Sequence, residues 1–131
     1  MAELDKLQFE KSVKYSVEHT WAKIENDLVV VGISDYAQDQ LGEIIFVDLP
    51  QKGDSFPKDG IFGVVESAKT ASDLYMPISG EIVAINAVLL DAPETINSSP
   101  FEAGWMIKVK PENESEFDGL LSSEAYRDSL T

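Results

Sequence analysis

Apolar residues occur along most of this chain in the short runs and alternations that are typical of β-strands. A β-branched and largely apolar run at 27–34 predicts a buried strand. Residues 43–50 form a second strong strand candidate that ends at Pro50, and 14–21 open an earlier one. These patterns predict a chain that is built mainly from β-structure.

The second half of the chain repeats this pattern. The predicted strands are 61–67, 72–79, 80–86 and 105–111. Ser79-Gly80 predicts a tight turn between the middle two, while 51–60 and 86–100 are rich in turn and loop residues. In 105–111 the alternation places Trp105, Ile107 and Val109 on one face, as in a half-buried strand.

Helical periodicity is confined to short segments. Ser34 or Asp35 caps a predicted helix at 36–41 that ends at Gly42. In the tail, Ser115 is a predicted cap, and Ser122 or Ser123 caps a second turn. Their apolar stripes consist of Phe117, Leu120, Leu121, Tyr126 and Leu130.

These elements predict a mostly β sandwich with a few short helices in one domain spanning 1–131. Within it, 1–13 is expected to be loosely held, and 112–131 to be a helical tail packed on the sheet. A hydrophobic fraction of 44% is sufficient for a core.

The net charge of the chain limits the kinds of partner it can bind. Twenty-four acidic and 10 basic residues give a net charge of -14, which opposes binding to nucleic acid or to anionic lipid. The first eleven residues lack the apolar core of a secretory signal, and no stretch approaches a membrane span. We therefore expect a cytoplasmic protein, or one of the mitochondrial matrix if a transit peptide has been removed.

Most catalytic motifs are missing from the sequence. There is no cysteine and only one histidine, His19, so thiolate clusters and two-histidine metal sites are excluded, and no metal site is predicted. Neither a phosphate-binding glycine loop nor a G-x-S-x-G elbow occurs. His19, beside Trp21, is typical of a packing or surface residue. We expect no catalytic residue in this chain.

One lysine differs from an ordinary solvated residue. Lys69 lies in SAKTAS between two strong strands, and its small neighbours leave the amine uncovered. Such a site suits covalent attachment, because another protein can reach the amine while the flanking strands hold the turn rigidly.

The segments around this lysine resemble a known family. VVESAKTASD with PISGEIVAIN resembles the lipoyl-lysine hairpin of the glycine cleavage system H protein. The stretches KYSVEHTW, VGISDYAQDQLGEIIFVDLPQKGD, TINSSP, GWMIKVKP and SEFDGLLSSEAY follow in the family's order and spacing. The resemblance extends from about residue 14 to 126. It implies the barrel-sandwich hybrid fold of lipoyl and biotinyl carriers, with the helical tail added.

The resemblance also implies a function. The chain would be a non-catalytic carrier with lipoate in amide linkage on Lys69, attached by a lipoate ligase or a lipoyl/octanoyl transferase. It would shuttle an aminomethyl group from pyridoxal-phosphate glycine decarboxylase to a tetrahydrofolate-dependent aminomethyltransferase. Lipoamide dehydrogenase would then take up the electrons.

The same resemblance implies roles for residues near Lys69. Glu66 and Asp73 are predicted marks for the modifying enzyme, or else solubilising carboxylates of the hairpin. Gly63 and Gly80 are expected to serve turns or close strand packing. The predicted contacts of the arm, folded back on the surface, are Ser67, Asp73, Glu18, Thr20 and Gln40.

Two positions depart from the family pattern. Many members have Glu where this chain has Thr20, and His where it has Gln40. In the family these positions lie near a cleft that shelters the loaded arm, and a hydroxyl binds an ammonium less strongly than a carboxylate does. Glu18 is a candidate replacement if it faces the same side of a strand.

Three other interpretations stay open from the sequence. One is a lipoyl or biotinyl domain of another complex, although such domains usually have Met or Asp-Lys-Ala beside the lysine. A second is an H-like protein that relays lipoyl or octanoyl groups to other enzymes, favoured by Thr20 and Gln40. A third is a small independent hydrolase, which would be indifferent to the loss of Lys69.

Overall fold

A computed structural model describes residues 4–131 as two antiparallel sheets with short helices. The strands are β1 (Lys14–Tyr15), β2 (Thr20–Glu25), β3 (Leu28–Ile33), β4 (Ile44–Asp48), β5 (Ser55–Phe56), β6 (Ile61–Ser67), β7 (Ala71–Tyr75), β8 (Gly80–Ile85) and β9 (Ile107–Pro111). The helices are α1 (Asp35–Leu41), α2 (Val88–Asp91), α3 (Thr95–Ser98), α4 (Ser115–Asp118) and α5 (Ser123–Ser129), and Leu4–Lys6 forms a 3₁₀ turn. One sheet has the order β1-β2-β3-β9-β8-β5 and the other β4-β6-β7.

The main core lies between the two sheets and depends on β3. Val29 and Val31 of β3 face this core, where they pair with Val109 and Ile107 of β9. Val30 points the other way into a second apolar cluster. The predicted burial of this strand is confirmed, and both of its faces are buried.

The second cluster lies on the outer face of the larger sheet, beneath α5. Tyr126 of α5 stacks on Tyr15 with ring centroids 4.4 Å apart, and Trp21 donates its indole N–H to the Pro100 carbonyl at 3.0 Å. Phe9 lies 6.1 Å from the Tyr126 ring. The tail and the residues before β1 thus cover one sheet face together.

Two glycines permit close approach of the backbone, as predicted. A Cβ on Gly63 would collide with the Asp48 carbonyl oxygen of β4, and one on Gly80 would collide with the Lys110 carbonyl oxygen of β9. The tight turn predicted at Ser79-Gly80 is wrong. Because β7 pairs with β6 whereas β8 pairs with β5 and β9, residues 76–79 cross between the sheets.

Several predicted boundaries shift. Residues 14–21 are interrupted by a turn at 16–19, where His19 has φ of 73°. Residues 51–60 contain β5, and 86–100 contain α2 and α3. Trp105 precedes β9 and joins the outer cluster, whereas Met106 is fully buried in the main core, so the alternation predicted across these two residues is wrong.

The helix caps follow the sequence in part. Ser34 caps α1 as predicted, and Ser122 caps α5 by accepting the Ala125 N–H at 3.1 Å. The predicted cap at Ser115 is wrong, because its hydroxyl donates to Asn113 Oδ1 at 2.6 Å and α4 has no side-chain cap.

Two further predictions concern the ends of the chain, residues 1–13 and 112–131. Within 112–131, Leu121 bridges to Tyr15 of β1, so the tail lies against the larger sheet. The expectation of a loose 1–13 falls partly outside the described residues. Inside them, Gln8 N donates to Asp35 Oδ2 at 2.7 Å.

The single-domain organisation stays a prediction. Of the helices in 4–131, none has the length and apolar character needed to cross a bilayer.

The difference between the two tail serines gives a test of the fold. Ser122→Ala removes a cap and is expected to lower the free energy of unfolding by ~1 kcal/mol. Ser115→Ala is the matched control and is expected to cost less than ~0.5 kcal/mol, because only an exposed local hydrogen bond is lost. Urea unfolding of both variants measures the difference. Equal costs would contradict the assignment of Ser122 as the cap.

Candidate functional site

The uncovered lysine lies at the tip of the β6–β7 hairpin. The last strand pair is Glu66 with Ala71, and the turn is closed by Ser67 N–H donating to the Thr70 carbonyl at 2.8 Å. Lys69 is exposed, and within 4–131 it takes part in no ion pair. The amine is therefore open to a second protein, as its small neighbours predict.

Lys69 extends toward the end of α1. Its Cε lies 3.7 Å from the position that a Cβ on Gly42 would occupy, and Gly42 ends α1 with φ of 80°. A side chain on Gly42 would be strained at this φ and would also lie against the lysine. The lysine thus borders the surface that α1 forms.

A cleft of about 250 Å³ opens between this helix, the hairpin and the turn before β2. Its walls consist of Glu18, His19, Thr20, Ile33, Tyr36, Ala37, Gln40, Leu41, Val65, Ser72, Asp73 and Leu74. Four of the five predicted arm contacts are among them: Glu18, Thr20, Gln40 and Asp73. The fifth, Ser67, lies in the hairpin turn instead, where its hydroxyl donates to the Thr70 carbonyl at 3.3 Å.

The turn at 16–19 determines where Glu18 and Thr20 lie relative to the cleft. The Ser16 hydroxyl lies 2.7 Å from Thr20 Oγ1 and accepts the Glu18 N–H at 3.2 Å. The Thr20 hydroxyl is thereby buried and already bonded. Glu18 is exposed on the turn and not in a strand, so the expectation based on strand faces does not apply, although Glu18 still reaches the cleft.

His19 is more than the packing residue that the sequence indicates. Its Nδ1 lies 2.8 Å from the Tyr126 hydroxyl, which in turn lies 2.7 Å from Ser34 Oγ. The same Ser34 oxygen accepts the Ala37 N–H at the start of α1. This chain of hydrogen bonds joins α5, the 16–19 turn and the cleft helix. The sequence gives no sign of this contact beyond the aromatic and polar residues around His19, because Tyr126 is 107 residues away along the chain.

Burial sets the protonation states of His19 and Tyr126. It lowers the pKa of His19 from 6.5, although Glu18 opposes the shift, and it raises the pKa of Tyr126 to about 12. At neutral pH the histidine is therefore uncharged and the phenol keeps its proton. The ionised side chains in the cleft wall are then the carboxylates of Glu18 and Asp73.

The two recognition candidates occupy different places. Glu66 pairs with Phe46 on one side and with Ala71 on the other, and lies outside the cleft walls. Asp73 lies on β7 at the edge of its sheet and borders the cleft. A larger cavity of about 340 Å³ between β2 and α4 contains none of the predicted site residues. In the described part of the chain, no three carboxylate or imidazole groups cluster as metal ligands.

Two sheets that present a lysine on a hairpin tip define a barrel-sandwich carrier of the lipoyl and biotinyl class. Comparison identifies the family, because the model of the Glycine cleavage H-protein family matches residues 13–131. The chain therefore belongs to the glycine cleavage H-protein family.

Individual relatives agree with this assignment. A glycine cleavage system H protein of Staphylococcus carnosus is 49% identical over 120 residues, which cover 92% of this chain and 95% of that one. One from Bacteroides fragilis is 46% identical over 121 residues, covering 92% and 96%. The crystal structure of a glycine cleavage system H protein from Mycobacterium marinum matches with a TM-score of 0.86 at 35% identity, covering 92% of this chain and 98% of that one.

The lone histidine gives a direct test of the site. Its NMR titration is unambiguous, because the sequence contains one His. Burial favours the neutral form in the folded protein, so we expect a midpoint below 6.5. Unfolded chains bind the proton more readily, so the contribution of His19 to stability is present above pH ~6.5 and is lost as pH falls through the folded midpoint.

A matched variant separates this effect from the titration of the carboxylates. His19→Gln cannot take up the proton, so the difference in unfolding free energy between wild type and variant is expected to shrink between about pH 7 and pH 5. A histidine midpoint above 6.5, or a difference independent of pH, would contradict the buried neutral imidazole.

Proposed function

We propose that this protein is the lipoyl carrier of a glycine cleavage system, with Lys69 as the attachment residue. The observation that supports this most is the exposed Lys69 on a closed hairpin turn beside an acidic cleft, in a chain of the H-protein family. The protein acts as a carrier and not as an enzyme. Its partners are the decarboxylase, the aminomethyltransferase and the lipoamide dehydrogenase of that system.

The residues present fit a lipoyl group on Lys69. The amine is uncovered, and its Cε lies beside Gly42 at the end of α1, whose residues line the cleft. An arm anchored there has an adjacent surface to fold onto. A lipoyl group bound at Lys69 supplies a dithiolane that takes up the aminomethyl group and two electrons.

The chain's own residues account for attachment. Formation of the amide requires the neutral amine of Lys69 to attack an activated acyl carbonyl, with loss of a proton and departure of the activating group. The neighbours of Lys69 leave the path open, and β6 and β7 hold the turn in place. The attaching enzyme is a lipoate ligase or a lipoyl/octanoyl transferase, for which Glu66 and Asp73 are the proposed recognition marks.

The cleft residues would shelter a loaded arm. The aminomethyl group carries a primary ammonium, and the ionised groups of the cleft wall, Glu18 and Asp73, are both anionic. A carboxylate that accepts from an ammonium makes a charge-assisted hydrogen bond. Thr20 contributes less, because its hydroxyl is already bonded to Ser16. Gln40 offers a neutral amide, and Ser67 stays at the base of the arm.

The cytoplasmic location expected from the sequence belongs to the same proposal. Fractionation of source cells, followed by immunodetection of the chain, tests it separately from the carrier function.

Loss of the lysine tests the attachment. Lys69→Arg keeps the charge but removes the nucleophilic amine, so we expect no lipoyl mass increment and no exchange of bicarbonate into glycine with the purified decarboxylase. Lys58→Arg, in the turn before β6, is the control and is expected to behave as wild type. The measurements are intact mass with peptide mapping, and exchange of labelled bicarbonate. Wild type that is lipoylated on Lys69 but inactive in the exchange would favour a lipoyl or octanoyl relay.

Loss of one carboxylate tests the shelter. Glu18→Gln and Asp73→Asn are each expected to speed the release of formaldehyde and ammonia from the loaded protein roughly two- to tenfold. This range corresponds to about 0.4–1.4 kcal/mol for a charged contact made by an exposed carboxylate. Glu81→Gln on β8 is the control, since Glu81 is exposed outside the cleft. Release rates equal to the control would remove these two residues from the arm's binding site.

A further inference from the structure

Exposed apolar side chains are concentrated on one face of the molecule. Seven large apolar residues are exposed in the described part of the chain, and four of them belong to β4 and α2. These are Ile45, Phe46, Val88 and Leu90, with exposures of 56%, 50%, 58% and 52%. Because α2 packs beside β4, these exposed residues lie on neighbouring elements, and together they are called here the β4–α2 patch. Apolar patches of this kind are typical of protein interfaces.

A bulge in β4 is what exposes two neighbouring apolar residues. The register between β4 and β6 shifts between Ile44 and Phe46, so Ile45 has no partner and both Ile45 and Phe46 are exposed. A regular strand would have turned one of them inward. Bulges that redirect side chains in this way are common beside functional sites.

The patch adjoins the attachment lysine. Ile44 pairs with Ser67 at the base of the hairpin turn, and Phe46 pairs with Glu66. Gly42, against which the Lys69 side chain lies, is two residues before β4. The cleft begins on the α1 side of Gly42 and the patch on the β4 side. A protein that contacts the patch would therefore have Lys69 at its border.

Apart from Lys69 at its border, the charges on the two segments that form the patch are of one sign. Its flanking residues Glu43, Asp48, Asp91 and Glu94 are all exposed, and no lysine or arginine occurs in 43–50 or 87–98. A complementary surface is apolar at its centre and has lysine or arginine at its rim. Such a rim would accelerate association with a chain of net charge -14.

We propose that the β4–α2 patch is the docking surface for the enzyme that acylates Lys69. This inference rests on the proposed attachment at Lys69. The acylating enzyme must bring an activated carbonyl to Nζ itself, so it has to bind within one lysine side chain of the hairpin tip. Enzymes that act on the far end of a long arm are free to dock elsewhere. Of these partners, the acylating enzyme is the one that has to bind next to the hairpin tip, where the patch lies.

The step needs only the co-reactants of that enzyme. The neutral Nζ attacks the carbonyl carbon of lipoyl-adenylate, the amide C–N bond forms, and AMP leaves with the electron pair of the broken C–O bond. Nζ loses one proton to solvent, and no oxidant or reductant is consumed.

The test uses the unmodified protein, a purified lipoate ligase, lipoate and ATP. Phe46→Lys and Val88→Lys each place a cation in the patch, and we expect the KM of the ligase for either variant to rise at least about tenfold. Ile24→Lys is the matched control: Ile24 is 59% exposed on β2, outside the patch, and we expect a KM within about twofold of wild type. Intact mass follows the reaction, and circular dichroism with thermal unfolding checks each fold.

Each result has a distinct meaning. If wild type gains no lipoyl increment on Lys69, the proposed function fails before the patch is tested. If wild type is lipoylated and the patch variants equal Ile24→Lys, the docking inference is overturned. It is also overturned if fully lipoylated Phe46→Lys is equally impaired with the decarboxylase, because the patch would then serve that enzyme. Wild-type dimers that Phe46→Lys dissociates would assign the patch to a second copy of the chain instead.

Discussion

Strand β6 pairs with β4 along one edge and with β7 along the other, and this double pairing fixes the position of Lys69. Val65 is fully buried at the middle of the strand, and Gly63 allows the close approach of the β4 backbone. A shift of β6 by one residue would turn Val65 outward and move the hairpin tip. The cleft, the lysine and the β4–α2 patch all keep their relative places because this strand cannot slip.

A carrier of this kind has to satisfy two opposed requirements. The amine must be reachable by an attaching enzyme, yet a loaded arm must be kept from water. The structure separates the two by direction: one side of Gly42 leads along α1 into the cleft, and the other leads along β4 to an exposed apolar surface. The lysine needs a rigid position between the two surfaces, which the hairpin provides.

The sequence could predict what depends on local pattern. The buried run of β3, the helix capped by Ser34 and the tip position of Lys69 follow from period, cap chemistry and small neighbours. The sequence could not predict the division of strands between sheets, because β7 and β8 are adjacent in the chain but pair in different sheets. The link from His19 to Tyr126 was missed for the same reason, since it depends on how the tail folds back.

The two departures from the family pattern can be understood together through the charge of the cleft. The resemblance implies a carboxylate and an imidazole in many members where this chain has Thr20 and Gln40, both neutral. Replacing Glu alone would remove an anion from the wall, but replacing His as well removes a group that becomes cationic on protonation. His19 stays neutral because burial lowers its pKa, so nothing in the wall offsets Glu18 and Asp73. At neutral pH the charge of this wall therefore comes from Glu18 and Asp73, and the hydroxyl of Thr20 is already hydrogen-bonded to Ser16.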